Sequence, residues 1–177
     1  QGFFNIPIDN FRALPLMGKY LKKKKLTDLC VVSPDHGGAA RASDLADVLG
    51  ASLAIIDKMR PKPNEAAVKN IIGEVKNQNC MIIDDMIDTA GSIAAAAVAL
   101  KEAGAKKIYV CATHPLLSKD AVQKLEAAPI EEVICTNTIM LPKENCIKKL
   151  TQLSIAELLG KGIINIIDEQ GVSTLFR

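Results

Sequence analysis

The sequence predicts an α/β protein with a parallel sheet flanked by helices on both faces. Short apolar runs alternate along the chain with segments in which apolar residues recur at intervals of three and four. Turn-forming residues, chiefly Gly, Pro, Asp and Ser, separate the two kinds of segment. Strands that alternate with helices usually lie parallel in one sheet, because each helix carries the chain back across a face of the sheet.

The apolar runs predict the strands, and the amphipathic segments predict the helices. The strands are expected at residues 29–33, 53–57, 81–85, 108–113 and 133–136. The helices are expected at residues 40–49, 92–103, 120–127 and 154–168. Gly50 and Gly104 follow the first two helices, where a left-handed cap favours glycine. Residues 67–75 suit a helix or a strand, and MRPKPN before them is too rich in proline for either.

Length and composition favour one cytoplasmic domain. The 177 residues, 49% of them hydrophobic, suffice for one well-buried core. Because 22 basic and 20 acidic side chains nearly balance and aromatic residues make up only 3%, we expect no nucleic-acid partner. No apolar run reaches the roughly 18 residues of a membrane span. The five cysteines lack Cys-x-x-Cys spacing, and four lie in apolar runs, which favours reduced core thiols.

The segment MIIDDMIDTAGS, residues 81–92, carries the strongest chemical signal. Its apolar start should form a buried strand that ends in the adjacent carboxylates Asp84 and Asp85. Their side chains should leave the pleat on opposite faces. Ligands of open parallel sheets bind beyond the carboxyl ends of the strands. We therefore expect this carboxylate pair at the edge of the sheet where a ligand binds.

Small and hydroxylated residues follow the carboxylate pair just before a predicted helix: Asp88, Thr89, Ala90, Gly91 and Ser92. Free amides at a helix N-terminus bind phosphate groups, and glycine lets the backbone approach an anion closely. Carboxylates beside such a phosphate cradle suit a sugar phosphate, whose hydroxyls need acceptors while a divalent cation offsets the charge. The simpler alternative is that Asp88 or Thr89 only caps the helix and the carboxylate pair is a solvated strand end.

A second strand-to-helix junction, VVSPDHGGAARA at residues 31–42, places Asp35 at the same edge. Asp35 could bind a metal ion or the magnesium complex of a nucleotide. His36 is more simply a turn residue, and Gly37 and Gly38 permit a backbone turn that other residues tolerate poorly. Ser33 could equally just end the strand.

The third junction, IIDKMRPKPN at residues 55–64, is basic. Lys58, Arg60 and Lys62 lie in a segment that two prolines hold out of regular structure. Cations on such a loop suit phosphoryl transfer, in which negative charge redistributes in the transition state. An ordinary solvated basic loop is the alternative. Two weaker signals remain. The lysine run at 22–25 favours a solvated face, and His114 favours a capping or packing role.

Taken in order, these segments resemble the C-terminal half of ribose-phosphate diphosphokinase, also called phosphoribosyl-diphosphate synthetase, over essentially the whole chain. The opening QGFFNIPIDN is similar to the end of the family's divalent-cation-binding signature. The resemblance implies a type I phosphoribosyltransferase-like fold, with residues 1–177 as a single C-terminal domain and the family's N-terminal domain absent. The other similar segments are VVSPDHGG, DKMRPKPN, NIIGEVK, IIDDMIDTAGS, ATHPLLS and VSTLF.

The resemblance also implies a reaction. ATP would give its terminal diphosphate to the 1-hydroxyl of ribose 5-phosphate, yielding phosphoribosyl diphosphate and AMP for nucleotide biosynthesis, with Mg²⁺ required. Lys58 and Arg60 match the family's catalytic loop, and Asp84 with Asp85 matches the residues that hold the ribose hydroxyls and metal. The remaining matches are Asp88, Thr89, Ala90, Gly91 and Ser92 for the 5-phosphate, and Asp35 and Asp9 for metal.

Some features depart from the family pattern. Met59 stands where the family usually has Arg, and Gly171 where it often has Ser, in a segment linked to regulation. We expect the chain alone to bind ribose 5-phosphate but to turn over negligibly, because the N-terminal half supplies nucleotide-binding side chains. Family members form homo-oligomers, dimers built into hexamers. Two rival functions stay open: a phosphoribosyltransferase, and a non-catalytic subunit associated with the synthetase.

Overall fold

The computed structural model of the chain describes residues 2–58, 69–145 and 147–176. These residues form a sheet, five α-helices and two short 3₁₀ helices. The strands are β1 (Leu29–Ser33), β2 (Ser52–Lys58), β3 (Lys69–Ile72), β4 (Asn79–Ile87), β5 (Lys107–Pro115), β6 (Glu132–Thr136) and β7 (Leu150–Leu153). The helices are α1 (Leu14–Lys23), α2 (Ala39–Leu49), α3 (Gly91–Glu102), α4 (Ala121–Ala127) and α5 (Ala156–Ile167), and the 3₁₀ helices are Lys143–Asn145 and Val172–Phe176.

The strands lie in the order β3-β2-β1-β4-β5-β6-β7. Neighbouring strands are parallel except β2 and β3, which are antiparallel. The predicted parallel sheet is therefore confirmed, with one antiparallel edge strand. Within residues 67–75, for which the sequence left helix and strand open, Lys69–Ile72 forms this edge strand. β4 lies at the centre of the sheet, between β1 and β5.

Helices cover both faces of the sheet, as the sequence predicts. Val31, Met81 and Ile83 pack with α1 and α2 on one face, and their strand neighbours Val32 and Ile82 pack with α3 and α4 on the other. This alternation follows from the two-residue period of a strand. Both faces of β1 and of the first part of β4 are buried, which explains why these strands are continuously apolar.

All five predicted strands and all four predicted helices are present, with ends that differ by up to two residues. Gly50 and Gly104 have positive φ angles of 62° and 89°, as expected of residues that end helices. Cys30, Cys80, Cys111 and Cys135 are buried and free, which confirms the predicted core thiols. The fifth cysteine, Cys146, lies outside the described residues.

The sequence missed α1 and β7. α1 has a proline in its first turn and ends in the lysine run at 22–25, which hid its short apolar stripe of Met17 and Leu21. β7 is a half-buried edge strand without a long apolar run. The lysines at 22–25 are exposed at the end of α1, as predicted for a solvated face, but Lys24 also forms an ion pair with Glu132 at 2.7 Å. No helix among residues 2–58, 69–145 and 147–176 has the length and apolar character needed to cross a membrane.

Candidate functional site

Asp84 and Asp85 lie near the carboxyl end of β4, where the sheet meets the beginning of α3. β4 continues to the buried Ile87, so the predicted strand end at residue 85 was two residues short. Asp84 is the more enclosed of the two, with 25% of its side chain exposed against 56% for Asp85. The pair therefore faces solvent at the edge that the sequence predicts for a ligand.

Arg41 on α2 contacts both carboxylates. Its Nη1 lies 3.0 Å from Asp84 Oδ1, and its Nη2 lies 3.3 Å from Asp85 Oδ2. The backbone adds two donors, since the amide of Asp85 donates to Asp84 Oδ1 and the amide of Met86 donates to Asp85 Oδ1, each at 2.9 Å. Sequence reasoning missed this arginine. One feature of the sequence could have indicated it. Arg41 is the one Lys or Arg in VVSPDHGGAARA, and it lies in the first turn of a helix that begins at the ligand edge.

The two carboxylates differ in their pKa values. Burial raises the pKa of Asp84 above its usual value and the carboxylate of Asp85 raises it further, whereas the hydrogen bond from the Asp85 amide and the charge of Arg41 act to lower it. Burial acts to raise the pKa of Asp85 as well, but the contact with Asp84 and the charge of Arg41 outweigh it and lower that pKa. Asp85 therefore keeps its negative charge more readily than Asp84 does.

The predicted phosphate cradle lies at the N-terminus of α3. The helix begins at Gly91, and the residue before it, Ala90, adopts a left-handed conformation with φ 57°. Because alanine has no side-chain oxygen, it does not cap the first helical amides, which stay available for an anion. A small cavity of about 160 Å³ opens here, lined by Asp84 and by residues 86–93, which include Asp88, Thr89 and Ser92.

The loop after β5 and helix α4 form hydrogen bonds that hold the cradle in place. Ser118 donates its hydroxyl to Asp88 Oδ1 in a short hydrogen bond, and its amide donates to the Asp88 carbonyl at 3.0 Å. Lys124 on α4 donates to the carbonyl of Thr89 at 3.4 Å. Asp88 thus uses one carboxylate oxygen to hold the loop rather than to cap α3. Its other oxygen is the one that could contact a ligand.

Asp35 closes the turn between β1 and α2. Its Oδ1 accepts the amide of Gly38 at 3.0 Å, and its carbonyl accepts the hydroxyl of Ser33 at 2.6 Å. A Cβ atom at Gly38 would lie 2.8 Å from Ser33 Oγ, so a larger residue there would displace the hydroxyl that donates to Asp35. Ser33 therefore does more than end the strand. The half-buried Asp35 keeps its second carboxylate oxygen for a ligand.

The basic junction is described only at its beginning. His36 Nε2 lies 2.8 Å from Oδ1 of Asp57 on β2, whose carboxylate oxygen is the acceptor. This pair connects the Asp35 turn to the end of β2. Lys58 is the last residue of β2, and Arg60 lies outside the described residues. The predicted catalytic role of Lys58 and Arg60 therefore stays a prediction.

A larger cavity of about 390 Å³ adjoins the carboxylate pair on the side of α1 and α2. Its lining includes Arg41, Asp84, Asp85 and His114, together with the segment 10–14 before α1. Asp9, predicted as a metal ligand, is exposed directly before that segment. His114 Nδ1 lies 2.9 Å from Thr138 Oγ1, a polar contact compatible with the predicted packing role.

A family model matches the part of the chain that contains β4 and α3. The family model described as "Phosphoribosyl synthetase-associated domain" matches residues 56–177, more than half of the chain. The chain belongs to this family. The matched range includes β4, the carboxylate pair and the cradle, whereas the Asp35 turn and Arg41 precede it.

Curated relatives of the family extend the match to almost the whole chain. Ribose-phosphate pyrophosphokinase 1 of Listeria monocytogenes serovar 1/2a is 53% identical over 177 residues, covering 99% of this chain and 56% of the relative. Ribose-phosphate pyrophosphokinase of Bacillus subtilis strain 168 is 51% identical over 176 residues, with the same coverage. The predicted resemblance is confirmed. The chain spans about half the length of the curated relatives it matches.

Solved structures confirm the phosphoribosyltransferase-like fold. A phosphoribosylpyrophosphate synthetase from Mycobacterium smegmatis has a TM-score of 0.87 and 40% identity, covering 96% of this chain and 55% of that one. A purine phosphoribosyltransferase from Pyrococcus horikoshii has a TM-score of 0.50 and 22% identity, covering 81% and 79%. The second likeness shows the fold alone. The chain therefore has the type I fold that the sequence predicted.

The acidic residues at this edge of the sheet fit a magnesium ion only in part. Among the residues that the structure describes, no three His, Cys, Asp or Glu side chains converge as a metal cluster. Mg²⁺ is usually held by one or two carboxylates, with substrate oxygens and water completing its shell. Asp35 and the Asp84–Asp85 pair supply hard oxygen donors of that kind at one sheet edge. They fit an ion that arrives with a phosphorylated substrate.

Proposed function

We propose that the chain forms the ribose 5-phosphate half of a ribose-phosphate diphosphokinase. The complete enzyme would transfer diphosphate from ATP to the 1-hydroxyl of ribose 5-phosphate, giving phosphoribosyl diphosphate and AMP. The family membership and the names of the curated relatives support this proposal. We propose further that the 177-residue chain alone binds the sugar phosphate with negligible turnover, since it spans about half of those relatives.

The observation that carries the proposal is the carboxylate pair beside the cradle at α3. Amides at the helix N-terminus attract the 5-phosphate through hydrogen bonds and the positive end of the helix dipole. The cavity of about 160 Å³ suits one small charged group, because cavities for larger ligands usually exceed about 300 Å³. Asp84 also lines this cavity, which supports a role for its carboxylate as the acceptor of hydrogen bonds from the ribose hydroxyls.

Lys58 and Arg60 would stabilise the negative charge of the moving diphosphoryl group, as the resemblance implies. A bound Mg²⁺ ion would supply positive charge that offsets the negative charge of the ATP phosphates. Asp35 and the Asp84–Asp85 pair would hold that ion, and Asp9 is the further candidate. The residues of this chain would mainly bind and orient ribose 5-phosphate.

Calorimetry with the 177-residue chain tests the binding half of the proposal. We expect ribose 5-phosphate to bind more tightly than inorganic phosphate, and ribose alone to bind weakly, because only the sugar phosphate engages both cradle and carboxylates. Equal affinities for ribose 5-phosphate and phosphate would contradict the role of the carboxylate pair. No binding of either would contradict the whole proposal.

An activity assay tests the catalytic half and separates the rival enzyme class. We expect almost no AMP from ATP and ribose 5-phosphate with the chain alone, and release of AMP with a full-length form of the protein. Robust AMP release by the chain alone would contradict the proposed need for a further half. Release of diphosphate from phosphoribosyl diphosphate that depends on an added nucleobase would instead identify a phosphoribosyltransferase.

We also propose that the protein self-associates, and the outer face of α5 supports this. Leu159 is 41% exposed, and Ile163, Ile164, Ile166 and Ile167 are 55–73% exposed, on a helix whose one buried residue is Gly162. An apolar surface of this kind marks a contact between proteins. Sedimentation should show a dimer or larger species for the chain, and Ile163→Lys should shift it towards monomer. A monomer at all concentrations would contradict the proposal.

A further inference from the structure

Arg41 joins the two junctions of the proposed site. Its guanidinium contacts Asp84 and Asp85 at 3.0 and 3.3 Å, and a Cβ atom built on Gly38 would lie 3.7 Å from its Nη1. The side chain therefore lies between the Asp35 turn on one strand-helix connection and the carboxylate pair on the next. Because α2 begins directly after the turn, the position of Arg41 is fixed by the helix that the turn starts.

The Arg41 contact differs from an ordinary surface ion pair. Arg41 is 33% exposed and Asp84 25%, whereas Arg12 and Asp44, the other Arg–Asp pair beside the same cavity, are 68% and 52% exposed. Arg41 also uses two nitrogens of its rigid, permanently charged fork on two different carboxylates. One guanidinium thus fixes the spacing of both carboxylates and offsets the repulsion between them.

We propose that Arg41 is a positioning residue for ribose 5-phosphate binding, which rests on the proposed function. It holds Asp84 and Asp85 in the orientation in which their remaining oxygens accept the ribose hydroxyls. It does not contact the 5-phosphate, because the cavity of the cradle is lined by Asp84 and residues 86–93 and not by Arg41. Its loss should therefore weaken recognition of the sugar while leaving recognition of the phosphate unchanged.

Two probes on the same chain separate these effects. Calorimetry should give the dissociation constants of ribose 5-phosphate and of inorganic phosphate for the wild type, Arg41→Met and Arg41→Lys. Arg12→Met is the matched control, since it removes an arginine that lines the same cavity but pairs with Asp44. Circular dichroism and thermal unfolding of each variant report whether the fold is retained.

We expect Arg41→Met to bind ribose 5-phosphate about tenfold more weakly, as is usual when a residue that orients ligand-binding groups is removed. Phosphate binding should stay within a factor of two. Arg41→Lys should lose only about threefold, because an ammonium pairs with one carboxylate but does not present the fork. Arg12→Met should match the wild type with both probes. Should Arg41→Met fail to fold, Arg41→Lys carries the same test.

Two results would overturn the role of Arg41 and leave the proposed function standing. Unchanged ribose 5-phosphate binding in the folded Arg41→Met variant would show that the carboxylates do not need the arginine. Equal weakening of ribose 5-phosphate and phosphate would show that Arg41 acts on the phosphate or on the fold as a whole. A wild-type chain that binds phosphate but gains nothing from the sugar would overturn the proposed function itself, and this inference with it.

Discussion

The Asp84–Asp85 pair and Glu132 each contact a basic side chain, but they differ in how many partners each carboxylate has. Glu132 Oε1 accepts the hydroxyls of Tyr20 and Thr151, each at 2.7 Å, and Oε2 lies 2.7 Å from Lys24 Nζ. One carboxylate there has two hydroxyl donors and an ion pair with an ammonium group. At the candidate site, two carboxylates share one arginine.

This difference separates a structural carboxylate from one that can bind a ligand. The donors around Glu132 come from α1 and β7 and from the residue after α1, so the carboxylate ties both elements to β6. Its acceptor capacity is largely used within the protein. The Asp84–Asp85 pair keeps oxygens for a ligand and faces two cavities. The comparison therefore predicts that substitutions at Glu132 change stability, whereas substitutions at Asp84 change binding.

The largest effect is expected for Asp84→Ala at the binding site. Loss of a carboxylate that accepts hydroxyl donors should weaken ribose 5-phosphate binding about 100-fold, or about 2.7 kcal/mol. Stability should change little, because burial already disfavours the charged form of Asp84. Calorimetry measures the first effect and urea unfolding the second. Asp44→Ala, another Asp→Ala change beside the larger cavity, is the control, and equal binding by Asp84→Ala would contradict the assignment.

Glu132→Gln is expected to lower stability and to leave binding unchanged. The amide keeps the shape of the side chain but loses the charge that pairs with Lys24, and its NH₂ group cannot accept a hydrogen bond. We expect the free energy of unfolding to fall by about 2 kcal/mol. Ribose 5-phosphate affinity of the folded variant should be unchanged. A tenfold loss of affinity at full stability would contradict the division between the two sites.

Acid should act on Glu132 in the same direction, because protonation removes the same negative charge that pairs with Lys24. Burial acts to raise the pKa of Glu132, but the hydrogen bonds from Lys24, Tyr20 and Thr151 outweigh it and lower that pKa. The resulting stability is present above the unfolded value of 4.5 and is lost as the pH falls through the folded pKa. Urea unfolding between pH 6 and pH 3 should therefore show a steeper decline for the wild type than for Glu132→Gln. Parallel declines would contradict this.

The smallest effect is expected for Ser118→Ala, which removes a hydrogen bond that supports the cradle. Without the hydroxyl that Asp88 accepts, the loop before α3 is held less firmly, although the amide of residue 118 still donates to the Asp88 carbonyl. Inorganic phosphate should bind about threefold more weakly, since one of several supporting hydrogen bonds is lost. Ser154→Ala, a serine before α5 and away from the cradle, should leave phosphate binding unchanged. Tighter phosphate binding by Ser118→Ala would contradict this supporting role.

The sequence predicted the parts of the fold that local patterns determine. Strands buried on both faces, such as β1, are continuous apolar runs, and helices with one buried stripe show a period of three to four residues. The cradle was predictable for a similar reason, because all of its residues follow one another at the end of β4. The exact end of β4 was missed because the exposed acidic pair interrupts the strand before Ile87 returns to the core.

The contacts that distinguish the two carboxylate sites were not predictable from local patterns. Arg41 and Asp84 are 43 residues apart, and Tyr20 and Glu132 are 112 residues apart. Neither pair has a spacing rule, since each depends on which strands become neighbours in the sheet. The polar ties between α1 and Glu132 were missed for the same reason, because they form only after β6 and the helix have come together.

The central position of β4 has a consequence for hydrogen exchange. β4 pairs with β5 along most of its length and with β1 over residues 79–82, whereas β3 and β7 each have one neighbour. Amides of a strand bonded on both sides exchange with solvent mainly when the whole domain unfolds, and edge strands open locally. The carboxylate pair lies just after this doubly paired part of β4, so the strand that carries it should persist through the local openings that the sheet edges undergo.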